Sequence, residues 1–496
     1  VYDMTVVGSG PNGLIAAYLA ASHGLSVRVI EQASALGGGL RSGDAVEEDF
    51  KVDHCAAVHP LAVMSPAFHA AGIFDEVEVV TPPISYAHVV NDLEAYVAYR
   101  SIEETSAALG WRAGPGWRAA LGPLVNKSEA VARLALSNPM RTTEFSAALR
   151  VGGAALRGVG KGGLRRLFGS RESAALFSGV SAHAIGEGNS LAGNVIGLTL
   201  ATLAHADGWP IPIGGSQAIA DALVRRLELL GVHFVVGQRV KSIHQVSDSR
   251  SVVATTTPKS FLNMALEYLP PAYVKALRSF QYGPGVFKLD MTLEGPIPWR
   301  DQRLSQAGTV HLGGDAESVV ASERGLLKGV PSERPLVFLS QPTMFDPSRA
   351  PEGKHVVWTY VHVPAWSRED YSTYIMERIE EVAPGFRKLV RVARPRTALD
   401  LARYNPNYVG GDIGAGRTSL SQIMGRPRMG WSPWATPIAG VYLGSASTSP
   451  GPGVHGMGGW YAAREALQNV HGIRIDDALW AVPNVGSDLF EDLRLR

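Results

Sequence analysis

Met4-Thr5-Val6-Val7 runs straight into Gly8-Ser9-Gly10-Pro11-Asn12-Gly13, and the next apolar strand ends on Glu31. Met4 to Val7 has the composition of a buried strand in a parallel sheet. At Gly8 the chain can turn tightly, at Gly10 its backbone can approach a pyrophosphate, and at Gly13 a helix can pack on the strand. Leu14 to His23 (LIAAYLAASH) is the predicted helix. With Pro11 and Asn12 at its head, its dipole and free amides face anionic oxygens. Gly24 ends this helix and Ser26 to Ile30 form the second strand. Glu31, with Gln32 behind it, can then accept both hydroxyls of an adenosine ribose and would repel a 2′-phosphate.

This fingerprint leaves two dinucleotides open, and the next segment separates them. Leu36-Gly37-Gly38-Gly39-Leu40-Arg41-Ser42 follows closely. Consecutive glycines let a loop lie against a second stretch of pyrophosphate or ribityl chain. Arg41 adds a guanidinium for phosphate oxygens. A glycine doublet and arginine soon after the acid resemble the FAD enzymes of the amine oxidase and phytoene desaturase superfamily, which implies FAD. The site so predicted contains Gly38, Gly39, Leu40 and Arg41.

A 496-residue chain with 46% hydrophobic residues and a net charge of +1 reads as a soluble globular protein of two or three domains. Near-neutral charge argues against nucleic acid as the main partner. Cys55, the single cysteine, excludes a disulfide framework, a redox-active disulfide and a zinc site, so no metal is expected. It also suits a reducing, cytoplasmic compartment. No apolar run is long enough to cross a bilayer. Val1 already stands at a strand, which predicts an initiator and a short leader before it.

Val46 to Val52 looks like an exposed strand or turn. In His54 to Pro60 (HCAAVHP), His54 and His59 can hydrogen-bond a flavin or substrate, or serve as polar loop residues. From Ser101 to His205 the pattern is helical. Within it Arg150 to Arg171 (RVGGAALRGVGKGGLRRLFGSR) carries six cations and no acid. It suits either peripheral contact with an anionic membrane or a solvated cap. Gly214-Gly215 lead to Ser216 as a helix N-cap, and Gly231 ends that helix. Val232 to Val236 and Arg239 to Ile243 are predicted strands, the second placing Val240 against adenine. Ser247 to Arg250 run straight into Ser251 to Ala254 without the hairpin usual in flavoproteins of this type, so either the protein is trimmed here or the sequence omits a disordered loop. Tyr282 to Trp299 begins a second sheet. In His355 to Val363 (HVVWTYVHV), Val356, Trp358, Tyr360 and His362 face one way and the alternate residues the other. One face should pack on helices and the other should wall a cavity.

Gly440 to Leu467 reads as a strand, a glycine-rich loop and a helix. Gly451-Pro452-Gly453-Val454-His455-Gly456 matches GxGxxG by letter, but Ser445 to Pro450 separate it from the strand, which excludes a second dinucleotide turn. The loop should instead run under the flavin and aim a helix N-terminus at its pyrimidine ring. Gly444 and Ser445 would then lie near the ribityl and phosphate groups. Gly453, Val454, His455 and Met457 would lie near the ring.

These segments, with Asn405 to Gly414 (NPNYVGGDIG), resemble the phytoene desaturase-like, phytoene dehydrogenase-related flavoproteins over nearly the whole chain. The resemblance implies an α/β fold: a Rossmann-type FAD-binding domain and a substrate domain of mixed β-sheet with a helical cap. It implies an FAD-binding domain in three parts (1–100, 208–285, 436–496), a cap at 101–207 and the remaining substrate domain at 286–435. It further implies hydride removal from a hydrophobic, carotenoid- or terpenoid-like substrate to flavin N5, with oxygen or a quinone as acceptor. Gly39 departs from relatives that carry Arg or Ala there. A proton acceptor is also needed, and His205, His455, His59 and Tyr404 are the candidates. Two other readings remain open on the same pattern. One is an amine or amino-acid oxidase with a cage built from Tyr404, Trp431 and Arg403. The other is a non-catalytic flavoprotein with an assembly or binding role.

Overall fold

A computed structural model describes residues 1–186 and 188–475; the end of the predicted third FAD-binding segment, 476–496, lies outside the described residues. Two sheets organise the chain. The first has five parallel strands in the order Val441–Leu443, Ser249–Ala254, Tyr2–Val7, Val27–Ile30, His233–Val235. All five point the same way, so Gly8, Glu31, Thr255 and Gly444 each follow a strand at its carboxyl edge. Open parallel sheets bind their ligands at that edge.

Helix Pro11–Ala21 is apolar all round because it is enclosed all round. It packs between Gln217–Leu229 and Met457–His471 in one core with the first strands. Contact with the last of these helices is backbone to backbone. A Cβ on Gly459 would overlap the Asn12 carbonyl oxygen, and one on Gly13 would overlap the Gly8 carbonyl. The Asn12 side chain accepts the Gly459 amide at 3.3 Å. Residues more than 440 positions apart are thus locked at one helix crossing.

The second sheet is mixed and seven-stranded, in the order Val390–Arg396, Gly285–Leu293, His355–Val363, Val337–Ser340, Ala307–Leu312, Ile84–Asn91, Glu94–Tyr99. Its last two strands come from within residues 1–100. Val357, Val361 and Val363 pack with helix Ser372–Val382 in one core, whereas Trp358 and Tyr360 wall a cavity. The alternation read from the sequence is therefore the one the strand adopts. Helices Ile102–Val125, Ser128–Ala135, Phe145–Arg157, Gly163–Phe168, Arg171–Ser181 and Leu191–Ala206 form the cap, and the first kinks at Gly110 (φ 81°).

Three local expectations are corrected. Arg239–Ile243 is not a strand; after His233–Val235 the chain runs irregularly to a short 3₁₀ turn at Ile243–Val246. That turn leads directly into Ser249–Ala254, so no hairpin is needed. Val46, Phe50 and Val52 are buried beneath Val356 rather than exposed. Ser216 stands at the N-cap of helix Gln217–Leu229 as expected, but its side chain makes no capping hydrogen bond. Its hydroxyl donates to the Ala56 carbonyl at 2.7 Å and meets His59 Nε2 at 2.8 Å.

Arg349 ties together three segments outside the two large sheets. Fully buried, it contacts Asp53 at 2.5 Å and Asp346 at 2.8 Å and donates to the Pro212 carbonyl at 2.7 Å. Asp53 also accepts the Ser42 hydroxyl and the Ser216 amide. Burial alone would raise the Asp53 pKa, but Arg349 and those donors outweigh it and hold the carboxyl low. Its contribution to stability is present above the ordinary carboxylate range and is lost as pH falls through the depressed value. Arg349→Met should cost about 3–5 kcal/mol by leaving two buried carboxylates unpaired. Urea denaturation should show that loss together with a weaker dependence on acid pH.

Candidate functional site

The carboxyl edge of the parallel sheet opens into a cavity of about 1080 Å³ that continues beneath the cap. At its polar end, Gly8 turns at φ 102°. The two glycine-rich loops meet there, since a Cβ on Gly38 would stand 2.7 Å from the Gly10 Cα. Gly8, Gly10, Pro11, Asn12, Gly38, Gly39 and Arg41 all line this end. Glu31 and Gln32 do so as well. The Glu31 carboxylate accepts the Ser9 amide at 2.9 Å, the Ser9 hydroxyl at 2.8 Å and the Ala33 amide at 2.9 Å. The acid is thereby fixed over the first turn with acceptor capacity to spare. The cradle fits a dinucleotide: two bare backbones in contact, a helix N-terminus and a positioned acid. Gly39 has its own local reason, for a Cβ there would lie 2.8 Å from the Tyr408 hydroxyl.

Val240 lines the same end beside Gln238, Arg239 and Lys241, none of which the sequence pattern singled out. At the opposite wall, Ser445, Pro452, Gly453 and Val454 reach the cavity. Six predicted residues do not, among them Gly13, which packs against the Gly8 carbonyl. Leu40 and Met457 are core side chains, and Gly444 packs on Ala462 and the Gly458 carbonyl. His455 accepts the Met457 amide at 3.0 Å and so caps helix Met457–His471; burial pushes its pKa down to about 4. His205 accepts the Trp117 indole N–H at 2.9 Å and contacts the Tyr99 carbonyl at 2.9 Å. These last two are corrected from candidate bases to bonded core histidines.

His59 and Tyr404 do line the cavity. Because Ser216 donates to Ala56, His59 must give it the Nε2 proton, and burial keeps the ring neutral with a pKa near 4. Its Nδ1 is left without a partner. Tyr404 lies beneath the Arg41 guanidinium, 4.4 Å from its ring centre. Arg41 also donates from Nε to the Gly38 carbonyl at 3.0 Å. Two further residues were missed. Arg426 is buried and lines the cavity, with its guanidinium bonded to the Gly416 and Ala446 carbonyls. His183 lines the far chamber and contacts His311 at 2.9 Å. No sequence signal marks Arg426. His311 and His88 sit at opposed positions of paired strands, a pattern visible only once the register is known.

Residues 6–76 match a family model described as an NAD(P)-binding Rossmann-like domain. Cyclohexylamine oxidase from Brevibacterium oxydans superimposes with a TM-score of 0.60 at 13% identity, covering 95% of this chain and 99% of that one. Residues 6–76 thus carry an NAD(P)-binding Rossmann-like domain, and the chain shares the fold of that oxidase. In sequence it is 27% identical over 328 residues to the mouse pyridine nucleotide-disulfide oxidoreductase domain-containing protein 2. The match covers 58% of this chain and 56% of the mouse protein, so the chain spans little more than half the length of that relative. A shorter match, 31% over 134 residues and 26% of each chain, is to 4,4'-diapolycopen-4-al dehydrogenase of Metabacillus indicus.

Glu31→Ala removes an acceptor of charge-assisted hydrogen bonds and frees the Ser9 turn. Calorimetric titration should show dinucleotide affinity falling by about tenfold or more.

Proposed function

We propose that this protein is an FAD-dependent dehydrogenase or desaturase of a hydrophobic, carotenoid- or terpenoid-like substrate, reoxidised by oxygen or a quinone. The observation that carries this reading is one continuous cavity with two chemistries. The polar end would hold the coenzyme: Gly10 to Asn12 and Gly38 to Arg41 at the pyrophosphate, Glu31 at the ribose, and Val240 at the adenine. Pro452 to Val454 and the segment from Cys55 to His59 would flank the ring. When bound, FAD supplies a hydride acceptor at N5. Beyond it the walls become Leu134, Val151, Val195, Leu200, Ile423 and Met424. Such walls exclude water and orient an apolar chain by contact alone.

The amine-oxidase reading finds less support. Trp431 is 66% exposed and the Arg403 side chain 70%, so neither closes a cage with Tyr404. Asp412 is the one carboxylate among the described residues lining the cavity beyond Glu31. It is occupied by the amides of Gly283, Gly414 and Gly416, which leaves no free anion for a cationic amine.

Helix Phe145–Arg157 supports a route for such a substrate. Ala148, Val151 and Gly152 line the cavity, while Phe145, Leu149 and Leu156 stand exposed on its outer side with Arg150 and Arg157. Met424, also exposed, lines the cavity from the facing segment. Among the described residues no helix is long and apolar enough to span a membrane. A rim of this kind would instead rest on a leaflet, burying apolar side chains and drawing basic ones to anionic headgroups.

Purified protein should be yellow, and anaerobic mixing with a polyene precursor in detergent should bleach the visible flavin band whereas a panel of primary amines should not. Bleaching by amines alone would reverse the assignment. Phe145→Ser with Leu149→Ser should reduce flotation with phosphatidylglycerol vesicles several-fold and leave turnover of detergent-dispersed substrate unchanged.

A further inference from the structure

One patch of the cavity wall is polar where the rest of the far chamber is aliphatic. It lies on the inner face of the seven-stranded sheet. The register sets Phe338 opposite both Tyr360 and His311 and leaves Thr309 on the same face, two residues before His311. Tyr360 and Thr309 line the cavity, and so do His183 and Trp209, whose rings meet edge to face at 5.3 Å. Phe338 holds the patch from beneath, stacked on Tyr360 at 4.5 Å and edge-on to His183 at 4.8 Å. Trp209 lies 5.1 Å from Tyr86, the strand partner of Thr309, and donates to the carbonyl of Leu200, one of the apolar walls, at 3.4 Å. The polar patch and the greasy chamber are therefore continuous.

The protein does not use up the hydrogen-bonding capacity it places here. Thr309 is 1% exposed, and its hydroxyl has no partner. The Tyr360 hydroxyl stands 3.5 Å from His183 Nδ1, too far for a strong bond, so both atoms keep capacity for a third. His183 Nε2 is already engaged, 2.9 Å from His311 Nε2. Ser340, on the same face, shows the contrast: its hydroxyl donates to the Gly308 carbonyl at 2.8 Å. Buried polar groups left unmade are destabilising, and a ligand atom that completes them is favoured by the same amount. The groups are also neutral. Burial takes the His183 pKa down to about 3 and raises that of Tyr360. A carboxylate or ammonium group would lose its hydration here and meet no opposite charge, whereas a hydroxyl can give and take and a carbonyl can accept.

We infer that Tyr360, Thr309 and His183 form a binding site for one uncharged oxygen, a hydroxyl or a carbonyl, carried by the hydrophobic substrate. The inference rests on the reading of this cavity as the site of a hydrophobic chain, and it narrows that reading to an oxygenated chain. Trp358 links the patch to the coenzyme end: its ring lies 5.0 Å from Tyr360, and its indole donates to the Cys55 carbonyl at 2.9 Å. The oxygen is thus held close to the segment assigned to the flavin ring. Aliphatic walls orient a chain but let it slide along its own axis. A fixed oxygen sets its register, and with it the carbon–carbon bond that is presented for oxidation.

Tyr360→Phe and Thr309→Val each remove one oxygen while keeping side-chain size and strand preference. Thr309→Val should leave Tm unchanged or raised, because the hydroxyl it removes has no partner. Binding of radiolabelled farnesol, farnesal and farnesene, which share one apolar chain, is then measured by anaerobic equilibrium dialysis on the purified flavoprotein. Each ligand is compared only with itself across the variants, so differences in solubility cancel. Both variants should bind farnesol and farnesal about three- to tenfold more weakly, with farnesene changed by less than about twofold. Unchanged affinity for farnesol and farnesal in both variants would overturn the site and leave a patch filled by water only. An equal loss of farnesene affinity would overturn it as well. If the variants instead lose affinity for farnesoic acid or farnesylamine, the uncharged class is wrong. Flavin bleaching is scored separately. If farnesol affinity falls as described but no chain bleaches the flavin, the oxygen site stands and the dehydrogenase reading falls. If polyenes bleach the wild-type protein and neither variant alters farnesol binding, the dehydrogenase reading stands and the oxygen site falls.

Discussion

The whole arrangement depends on two helices meeting backbone to backbone at a glycine. Gly459 sits on the Asn12 carbonyl, and Gly13 sits on the Gly8 carbonyl one turn away. The first contact fixes the last described helix against the first. The second fixes the first helix against the strand that feeds it. Together they bring the amino-terminal turn and the loop ending at Gly456 to one chamber. A methyl group at either position would collide with backbone, so close packing here holds the two loops in place.

The chamber that results is divided by chemistry and not by a barrier. Its sheet end offers backbone amides, a fixed carboxylate and Arg41. Its cap end offers aliphatic side chains from Leu134 to Met424, and the terminal guanidinium nitrogens of the buried Arg426 donate to the Gly416 and Ala446 carbonyls.

The dinucleotide half of this design was legible in the sequence because it is local. Strand, glycine turn, helix and acid follow one another within thirty-odd residues, and each residue type answers a backbone requirement. The strand His355–Val363 was legible for the same reason: alternation is a property of neighbours. What escaped depends on partners distant in sequence. His205 and His455 look identical to catalytic histidines until Trp117 and the Met457 amide are seen occupying their rings. Ser216 looks like a side-chain cap until His59 and the Ala56 carbonyl claim its hydroxyl. The Asp53–Arg349–Asp346 triad joins positions almost three hundred residues apart, and nothing in the spacing announces it. His88 and His311 need the parallel pairing of Ile84–Asn91 with Ala307–Leu312 before they become neighbours.

The strand order has a consequence for how the chain is made. Tyr2–Val7 is flanked by Val27–Ile30 and Ser249–Ala254, and the latter takes Val441–Leu443 as its outer neighbour. A nascent polypeptide leaving the ribosome therefore holds Tyr2–Val7 with one side unpaired until Ser249–Ala254 has been made. The helix that seats Asn12 arrives later still. Long-range pairing of this kind is slow and leaves apolar edges in contact with water. Production in the cell should accordingly depend on chaperones that shelter Tyr2–Val7 and Pro11–Ala21, and on the rate at which Val441–Leu443 and Met457–His471 are delivered.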